Sequence, residues 1–180
     1  MTVYVGSREV GGESDAWSTP AWLVEWIRLE LGWEPFDFDP CAAPETAKAT
    51  DFVSEETGDG LAIPWRGSTV WLNPPYSRQA RWLAKAAEES RTNGLRIAAL
   101  VLPSFDAAYW RPSVWNSASE LWLLEGRIAF ERNGRPVANS TNKSCIVVFD
   151  GGRARTAQNE PVVRFLCPPY PPRLPRSLCR

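Results

Sequence analysis

The segment TVWLNPPYS, residues 69–77, carries groups that could bind and orient a planar amine. The side chain of Asn73 offers an amide oxygen and Pro74 offers a backbone carbonyl, and both can accept hydrogen bonds. Pro74 and Pro75 restrict the backbone, so the two acceptors keep fixed directions. An amino group with two hydrogens could donate one to each acceptor. The ring of Tyr76 gives a flat surface on which a nucleobase could stack.

These four residues, 73–76, form what we call the Asn73 corner, and they suit chemistry on an exocyclic amine. The amino groups of adenine and cytosine are weak nucleophiles because their lone pair is delocalised into the ring. Two hydrogen bonds that hold the N–H groups out of the ring plane would return this lone pair to nitrogen. If the electrophile is already cationic, no residue has to remove a proton before the attack. A base within a duplex would first have to be flipped out.

The composition of the chain excludes several other chemistries. It has no histidine, which removes Ser-His and Cys-His catalytic pairs and histidine-bound metals. The four cysteines are scattered without C-x-x-C spacing, so we predict reduced thiols and no metal site. No apolar run approaches the roughly 20 residues of a membrane span, and the N-terminus does not resemble a signal peptide. We therefore predict a cytoplasmic protein without membrane contact.

Hydrophobic patterning around the corner predicts an α/β fold. Residues 69–72 read as a buried strand that must end at Asn73, because neither following proline can donate a hydrogen bond to a sheet. We predict further strands at residues 35–39, 95–103, 118–126, 127–132 and 144–150, and helices at 21–32, 78–94, 106–115 and, in short form, within 40–50. Thr19 is placed to cap the first helix and Pro20 suits its first position. The order of elements indicates a single mixed sheet with helices on both faces and an antiparallel edge.

The length of 180 residues suits one domain, and its 44% hydrophobic residues suffice for a core. We predict a flexible N-terminal segment at residues 1–14, which is polar and glycine-rich. The domain itself is predicted at residues 15–150. A Pro-rich tail that lies extended at the periphery is predicted at residues 151–180.

Two predicted strand ends carry polar side chains. One is the Asn73 corner, and the other is FDFDPCA, with Asp37 and Asp39. Because ligands in α/β sheets bind at the carboxyl ends of the strands, both ends are candidate site positions. For each aspartate, the alternative is an ordinary strand-end carboxylate.

Charge is divided unequally along the chain. Residues 1–109 carry nine Lys and Arg against sixteen Asp and Glu, whereas residues 110–180 carry eleven against five. The acidic part could bind a small cation, and the basic part could contact a polyanion. Candidate phosphate contacts are Arg78, Arg132, Arg135 and Lys143. The alternative is ordinary solvated surface charge.

Six segments in a fixed order resemble the short phage-type DNA N6-adenine methyltransferases: DAWSTPAWL, FDFDPCAAPETAK, DGLAIPW, VWLNPPYS, ALVLP and LEGRIAF. The resemblance covers about residues 13–150. It implies a Rossmann-like class I methyltransferase fold, S-adenosylmethionine as methyl donor, and adenine flipped out of DNA as acceptor. The NPPY segment by itself is shared with protein-glutamine and ribosomal-RNA methyltransferases, whereas the ordered set is more specific.

The resemblance also implies roles for individual residues. Asn73 and Pro74 would hold the amino group, with Pro75 completing the corner, and Tyr76 would stack on the base. The residues that would bind the cofactor are Trp17, Thr19, Pro20, Asp39, Pro40, Cys41, Ala42 and Asp59. Among these, Asp39 would contact the methionine part. Asp59 would meet the adenine moiety. Where the family has glycines after the first strand, this chain has the segment AAP at 42–44, and Glu45 is the candidate for the ribose hydroxyls.

Two kinds of alternative stay open at this point. The same chemistry could act on cytosine N4, on RNA adenine or on a protein glutamine. From a different class, the chain could be a non-catalytic DNA-binding module that no longer binds cofactor, and the missing glycines favour this alternative. The intact Asn73 corner argues against it.

Overall fold

The computed structural model describes residues 18–132, 135–136, 143–151 and 160–169. The predicted flexible segment 1–14 and Trp17 lie outside these residues. The described helices and strands are α1 (Ala21–Leu31), β1 (Phe38–Asp39), β2 (Asp51–Phe52), β3 (Thr69–Leu72), α2 (Gln79–Asn93), β4 (Arg96–Val101), β5 (Glu120–Leu124), β6 (Glu131–Arg132), β7 (Arg135–Pro136), β8 (Cys145–Asp150) and β9 (Val162–Leu166). A 3₁₀ turn at Tyr76–Arg78 precedes α2, and a π-helical turn at Arg111–Trp115 stands where a short helix was predicted.

Seven of these strands form one mixed sheet in the order β2-β1-β3-β4-β8-β5-β9. β8 runs antiparallel to both β4 and β5, and the other pairs are parallel. The α/β prediction is therefore confirmed, but the predicted antiparallel edge is wrong, because the antiparallel strand lies inside the sheet. The residues from Cys145 to Phe149 are buried, and their strand pairs with β4 on one side and with β5 on the other, so no backbone edge is left open.

The end of the chain adds to this sheet. β9 falls within the segment that the sequence assigned to a peripheral tail, yet it pairs in parallel with β5 over five residues. It is extended and at the edge, as predicted, but it belongs to the sheet. Three of its apolar side chains, Val162, Val163 and Phe165, are exposed, as an edge strand with little cover allows.

Two short predictions differ from the structure. The predicted strand 127–132 forms pairs only at β6, which joins β7 in a separate two-stranded ladder beside the main sheet. The short helix predicted within 40–50 is absent. Instead the Thr46 hydroxyl accepts from the Ala43 N–H at 3.1 Å and lies 3.2 Å from the Ala43 carbonyl, and such local bonds compete with helix formation.

Helices cover both faces of the main sheet, as the sequence predicts. On one face, Trp82 and Leu83 of α2 pack with Val70 and Leu72 of β3. On the other face, α1 and the segment 128–130 pack over Trp71. The side chains of β3 thus alternate between two hydrophobic cores, and all four of its residues are buried. This two-sided burial fixes the direction in which β3 ends.

The order of strands reverses between β1 and β3. From β1 the chain moves to β2 on one side, returns to β3 on the other, and continues outward to β4. At such a reversal the loops that follow the two central strands leave in opposite directions, which opens a crevice at their carboxyl ends. The candidate strand ends of the sequence analysis, Asp39 and the Asn73 corner, flank this crevice.

Candidate functional site

A cavity of about 710 Å³ occupies this crevice, within the roughly 300–1,000 Å³ typical of small-molecule sites. Its walls come from the segment before α1, the loop after β1, the loop 53–60, and the Asn73 corner. The predicted site residues that line it are Thr19, Asp39, Pro40, Cys41, Ala42, Asp59, Asn73, Pro74, Pro75, Tyr76 and Arg78. Glu45 also lines it. The structure thus brings residues from distant parts of the sequence into one cavity.

Four other predicted residues that the structure describes, Pro20, Arg132, Arg135 and Lys143, do not line the cavity. Pro20 is buried at the cap position before α1, and Trp17 lies outside the described residues. Arg132 and Arg135 pair with each other on the β6–β7 ladder. Lys143 is exposed just before β8.

The Asn73 corner follows directly from the end of β3. Asn73 is half-buried and Pro74 is buried, whereas Tyr76 begins the 3₁₀ turn that leads into α2. The ring of Tyr76 packs edge-to-face on Phe130, with 6.4 Å between ring centroids. On the cavity side, Cys41 Sγ donates to the Asn73 carbonyl oxygen at 3.8 Å. The corner is therefore held by Phe130 through the Tyr76 ring and by the loop after β1 through Cys41.

Gln79, which the sequence analysis missed, ties the corner to the next strand end. This buried first residue of α2 has Nε2 within hydrogen-bonding distance of three acceptors for its two hydrogens, namely the Leu102 carbonyl at 3.1 Å, Ser104 Oγ at 3.0 Å and Tyr109 Oη at 2.7 Å. Its Oε1 accepts from the Leu102 N–H at 3.1 Å. A glutamine at a helix start gives no sequence signal for such a role, since its partners lie 23–30 residues away.

Asp39 ends β1 and projects into the cavity from a buried position, with 3% of its surface exposed. Its oxygens accept from the Cys41 N–H at 3.3 Å and from the Lys48 N–H at 3.1 Å. Burial raises the pKa of Asp39 to about 6, although these two backbone hydrogen bonds oppose the rise. The carboxylate is therefore ionised near neutral pH but poorly solvated, which favours a cationic partner.

Asp37 has a different role, although it lies only two residues away. Its carboxylate accepts from the Ser68 N–H at 2.7 Å and the Thr69 N–H at 2.9 Å, at the amino end of β3 and away from the cavity. These backbone hydrogen bonds hold the pKa of Asp37 below its usual value. Of the two alternatives for Asp37, the structure favours the structural one.

The segment before α1 contributes two hydroxyls to the cavity. Ser18 bonds to the β6–β7 ladder through a backbone pair with Glu131. Thr19 is buried, and its Oγ1 has no hydrogen-bond partner among the described residues. The prediction that Thr19 caps α1 is wrong: the cap position falls on Pro20, so the hydroxyl lies beside the cavity instead.

Lys48 is a second residue that the sequence analysis missed. Its half-buried side chain lines the cavity and donates from Nζ to Ser18 Oγ at 3.2 Å. Burial lowers the pKa of Lys48, and the charges of Glu131 and Asp39 act in the opposite direction. Its place in the segment ETAKAT, between turns, carried no signal of chemistry.

The loop that bears Asp59 approaches the loop after β1 very closely. A Cβ added to Gly60 would lie 2.0 Å from the Pro40 carbonyl oxygen, so only glycine fits there. Asp59 itself is exposed at the cavity rim, where its Oδ1 accepts from the Leu61 N–H at 2.9 Å.

The part of the chain that the structure describes contains no group of three or more His, Cys, Asp or Glu residues placed to hold a metal ion. Nor does any helix there have the length and apolar character to cross a membrane.

Comparison with known proteins identifies similar sequences in phages. A family model described as DNA N-6-adenine-methyltransferase (Dam) matches residues 6–160. A protein of Escherichia phage T1 named DNA N-6-adenine-methyltransferase is 27% identical over 165 residues, which cover 91% of this chain and 66% of that protein. A protein of Haemophilus phage HP1 (strain HP1c1) with the same name is 24% identical over 140 residues, covering 77% of this chain and 80% of the relative.

The structural role of Asp37 can be tested through stability. Asp37→Ala should lower the free energy of unfolding by about 1 kcal/mol or less, because two backbone amides lose a charged acceptor at an exposed position where solvent screens the charge. Since the pKa of Asp37 is depressed in the folded state, this difference should be full above about pH 5 and fade as the pH falls below about 4. Urea unfolding of the variant and the wild type measures both effects.

Asp51→Ala is the matched control, since the side chain of Asp51 forms its ion pair among the described residues with the exposed Arg66 at the surface. It should change stability by less than about 1 kcal/mol. An Asp37 variant as stable as the wild type at neutral pH would contradict this role.

Proposed function

The chain belongs to the DNA N-6-adenine-methyltransferase (Dam) family, and we propose that it transfers a methyl group from S-adenosylmethionine to N6 of adenine in DNA. The observation that carries this proposal is that the Asn73 corner and the buried Asp39 face the same cavity. The names of the phage relatives agree with the sequence resemblance on both acceptor and chemistry. We place the reaction in the cytoplasm of the host cell, where phage DNA is replicated.

The fold that we propose is the Rossmann-like class I methyltransferase fold. Its support is a sheet of mainly parallel strands, with helices on both faces and a cavity at the reversal of strand order. The chain spans about two thirds of the length of the phage T1 relative.

The residues around the cavity fit S-adenosylmethionine. They include a desolvated carboxylate at Asp39, a buried hydroxyl of Thr19 that lacks a described partner, and enough volume for a nucleoside-sized ligand. S-adenosylmethionine supplies a methyl group on a positively charged sulfur, which is the cationic electrophile that the corner requires. Asp39 would accept hydrogen bonds from the ammonium group of its methionine part, and Asp59 at the rim would meet its adenine moiety.

The Asn73 corner would hold the acceptor base. Asn73 Oδ1 and the Pro74 carbonyl would each accept one hydrogen of the N6 amino group, while Pro75 keeps the corner rigid. Tyr76 would stack on the flipped adenine, and Phe130 keeps the Tyr76 ring in place. Since the lone pair is returned to N6 by these two hydrogen bonds, the chain needs no histidine base to begin the transfer.

The alternative of a module that no longer binds cofactor loses its main support. The alanines that stand in place of the family's glycines, Ala42 and Ala43, both line the cavity without closing it. Among the other acceptors, the names of the relatives favour DNA adenine over cytosine N4, RNA or protein glutamine.

The experiment that tests the proposed function uses purified protein and S-adenosylmethionine with a labelled methyl group. Unmethylated DNA, RNA and a protein extract are offered as separate acceptors, and digestion to nucleosides identifies the product. We expect label in DNA as N6-methyladenine. Label only in RNA or protein, or in cytosine, would overturn the assigned acceptor.

The role of the corner predicts the effect of Asn73→Ala. Methyl transfer should fall by roughly 100-fold or more, because one of the two groups that activate N6 is lost. The dissociation constant of S-adenosylmethionine should stay within about twofold of the wild type, since Asn73 acts on the acceptor. Calorimetric titration and an activity assay measure the two quantities, and near wild-type activity would show that the corner is only a turn.

Stacking by Tyr76 predicts different effects for two substitutions. Tyr76→Phe should be mild because the ring is kept, whereas Tyr76→Ala should lower activity by roughly tenfold or more. Steady-state kinetics on a duplex substrate measures both. Equal losses in the two variants would indicate that the hydroxyl, rather than the ring, carries the role.

The raised pKa of Asp39 predicts how cofactor binding depends on pH. As the pH falls below about 6, the carboxylate takes up a proton, and the affinity for S-adenosylmethionine should weaken by up to about tenfold per pH unit. Asp39→Asn should weaken binding by roughly tenfold or more at pH 7.5 and remove this dependence. Titration calorimetry between pH 5 and about 8 tests this.

The raised pKa of Asp39 also affects the stability of the ligand-free protein, which should increase as the pH falls while cofactor affinity decreases. Because the ligand-free folded protein binds the proton more tightly than the unfolded chain, the contribution of Asp39 to the free energy of unfolding should rise as the pH falls from about 6 towards 4.

For the pH dependence of cofactor binding, Glu131→Gln is the control, since Glu131 is the other carboxylate whose charge acts on Lys48. A wild-type affinity for S-adenosylmethionine that does not change with pH through pH 6 would remove Asp39 from the cofactor site.

The basic second half predicts salt-dependent DNA binding. Arg132 and Arg135 lie on the ladder that Glu131 joins to Ser18 at the cavity, and Lys143 precedes β8 at the same edge of the sheet. Replacing all three by alanine should flatten the slope of log affinity against log salt by about one unit per lost phosphate contact. Cofactor affinity should not change.

Fluorescence titration of a labelled duplex at several salt concentrations measures this slope. Arg91→Ala is the control, because Arg91 lies at the far end of α2, away from the corner. An unchanged slope in the triple variant would assign these cations to ordinary solvated surface and leave Arg78 as the candidate DNA contact.

A further inference from the structure

We infer that Lys48, together with Ser18 and Thr19, binds the carboxylate of the amino-acid end of the cofactor, while Asp39 takes its ammonium group. This inference rests on the proposed function and deepens it. It adds Lys48 and Ser18 to the site. It also assigns the cavity wall formed by Ser18, Thr19, Asp39 and Lys48 to the α-amino acid end of the ligand.

The first support is the position of the Lys48 side chain. It turns inwards, lines the cavity, and holds its ammonium group 3.2 Å from Ser18 Oγ. Among the described residues, no carboxylate oxygen lies within 4.0 Å of this nitrogen. A half-buried ammonium group whose partner among the described residues is one neutral hydroxyl retains donors for an anion.

The second support is the unsatisfied hydroxyl of Thr19. It is 1% exposed and lies next in sequence to Ser18, on the same wall of the cavity. A buried hydroxyl without a partner is unfavourable for the folded state, so such groups are rare unless a ligand satisfies them. An anion bound at Lys48 would give this hydroxyl an acceptor.

The third support is the coupling of opposite charges on one short segment. The backbone N–H of Lys48 donates to Asp39 at 3.1 Å, while the side chain of the same residue reaches Ser18. One wall of the cavity thus carries both a buried carboxylate and an ammonium group. A ligand with an ammonium and a carboxylate on one carbon atom complements this pair, and the methionine part of S-adenosylmethionine is such a group.

This arrangement also explains why Lys48 is not assigned to DNA. A lysine that contacts phosphate needs to be accessible, whereas Lys48 is half-buried in the loop after β1 and lines the cavity. The exposed cations of the β6–β7 ladder fit that role better. Lys48 instead lies where it can distinguish ligands that differ only in their carboxylate.

Decarboxylated S-adenosylmethionine provides the test, because it keeps the sulfonium, the amine and the adenosyl group and lacks only the carboxylate. Calorimetric titration gives the dissociation constants of both compounds for the wild type, Lys48→Met, Lys48→Arg and Thr19→Val. The wild type should prefer S-adenosylmethionine by about tenfold or more. Lys48→Met should lose most of this preference, Thr19→Val part of it, and Lys48→Arg should retain most of it.

Two controls make the result specific. Lys85→Met removes a lysine of similar exposure that pairs with Glu89 on α2, and it should keep the wild-type preference. Asp39→Asn should weaken binding of both compounds and keep the ratio between them. Urea unfolding of every variant identifies any loss that reflects folding, and Lys48→Arg and Thr19→Val then decide the question if Lys48→Met is unfolded.

The outcomes separate the inference from the proposed function. If S-adenosylmethionine binds and the Lys48 variants keep the wild-type ratio, the inference is overturned and the proposed function stands. A wild type that binds both compounds equally also overturns it. If neither compound binds the wild type, both the inference and the proposed function fail.

Discussion

The reversal of strand order between β1 and β3 is the constraint on which the site depends. Phe38 is the pivot, because its backbone pairs with Asp51 of β2 on one side and with Val70 of β3 on the other. Its side chain is fully buried, with the guanidinium of Arg66 4.6 Å from its ring centroid. If β1 were displaced, Asp39 would no longer face the Asn73 corner. A two-residue strand thus positions both halves of the site.

The surrounding structure keeps this short strand and the corner in place. Burial on both faces of β3 sets the direction of the chain at Asn73, and Gln79 binds the start of α2 to the loop after β4. Gly60 allows the loop that bears Asp59 to lie against the Pro40 carbonyl. Because each of these contacts joins segments distant in sequence, the cavity forms only when the whole sheet is assembled.

The polar groups in the cavity are stabilised poorly by the protein itself. Asp39 is desolvated, Lys48 is half-buried, and the Thr19 hydroxyl has no described partner. Burying charges without full compensation is unfavourable for the folded state. A ligand that satisfies these groups would therefore stabilise the protein as it binds, which couples cofactor binding to stability.

The sequence by itself determined the α/β class, the end of β3 at Asn73, and the family, since prolines, apolar runs and ordered motifs are local features. It did not place the antiparallel strand inside the sheet, because strand order depends on pairing between distant segments. Asp37 and Asp39 are two residues apart, so the alternation of a strand cannot distinguish them. Only their contacts with neighbouring segments place Asp37 at the amino end of β3 and Asp39 in the cavity. The positions of Lys48 and Gln79 in the site likewise depend on contacts between distant segments. Their hydrogen bonds span 30 and 23 residues, and only tertiary structure decides such contacts.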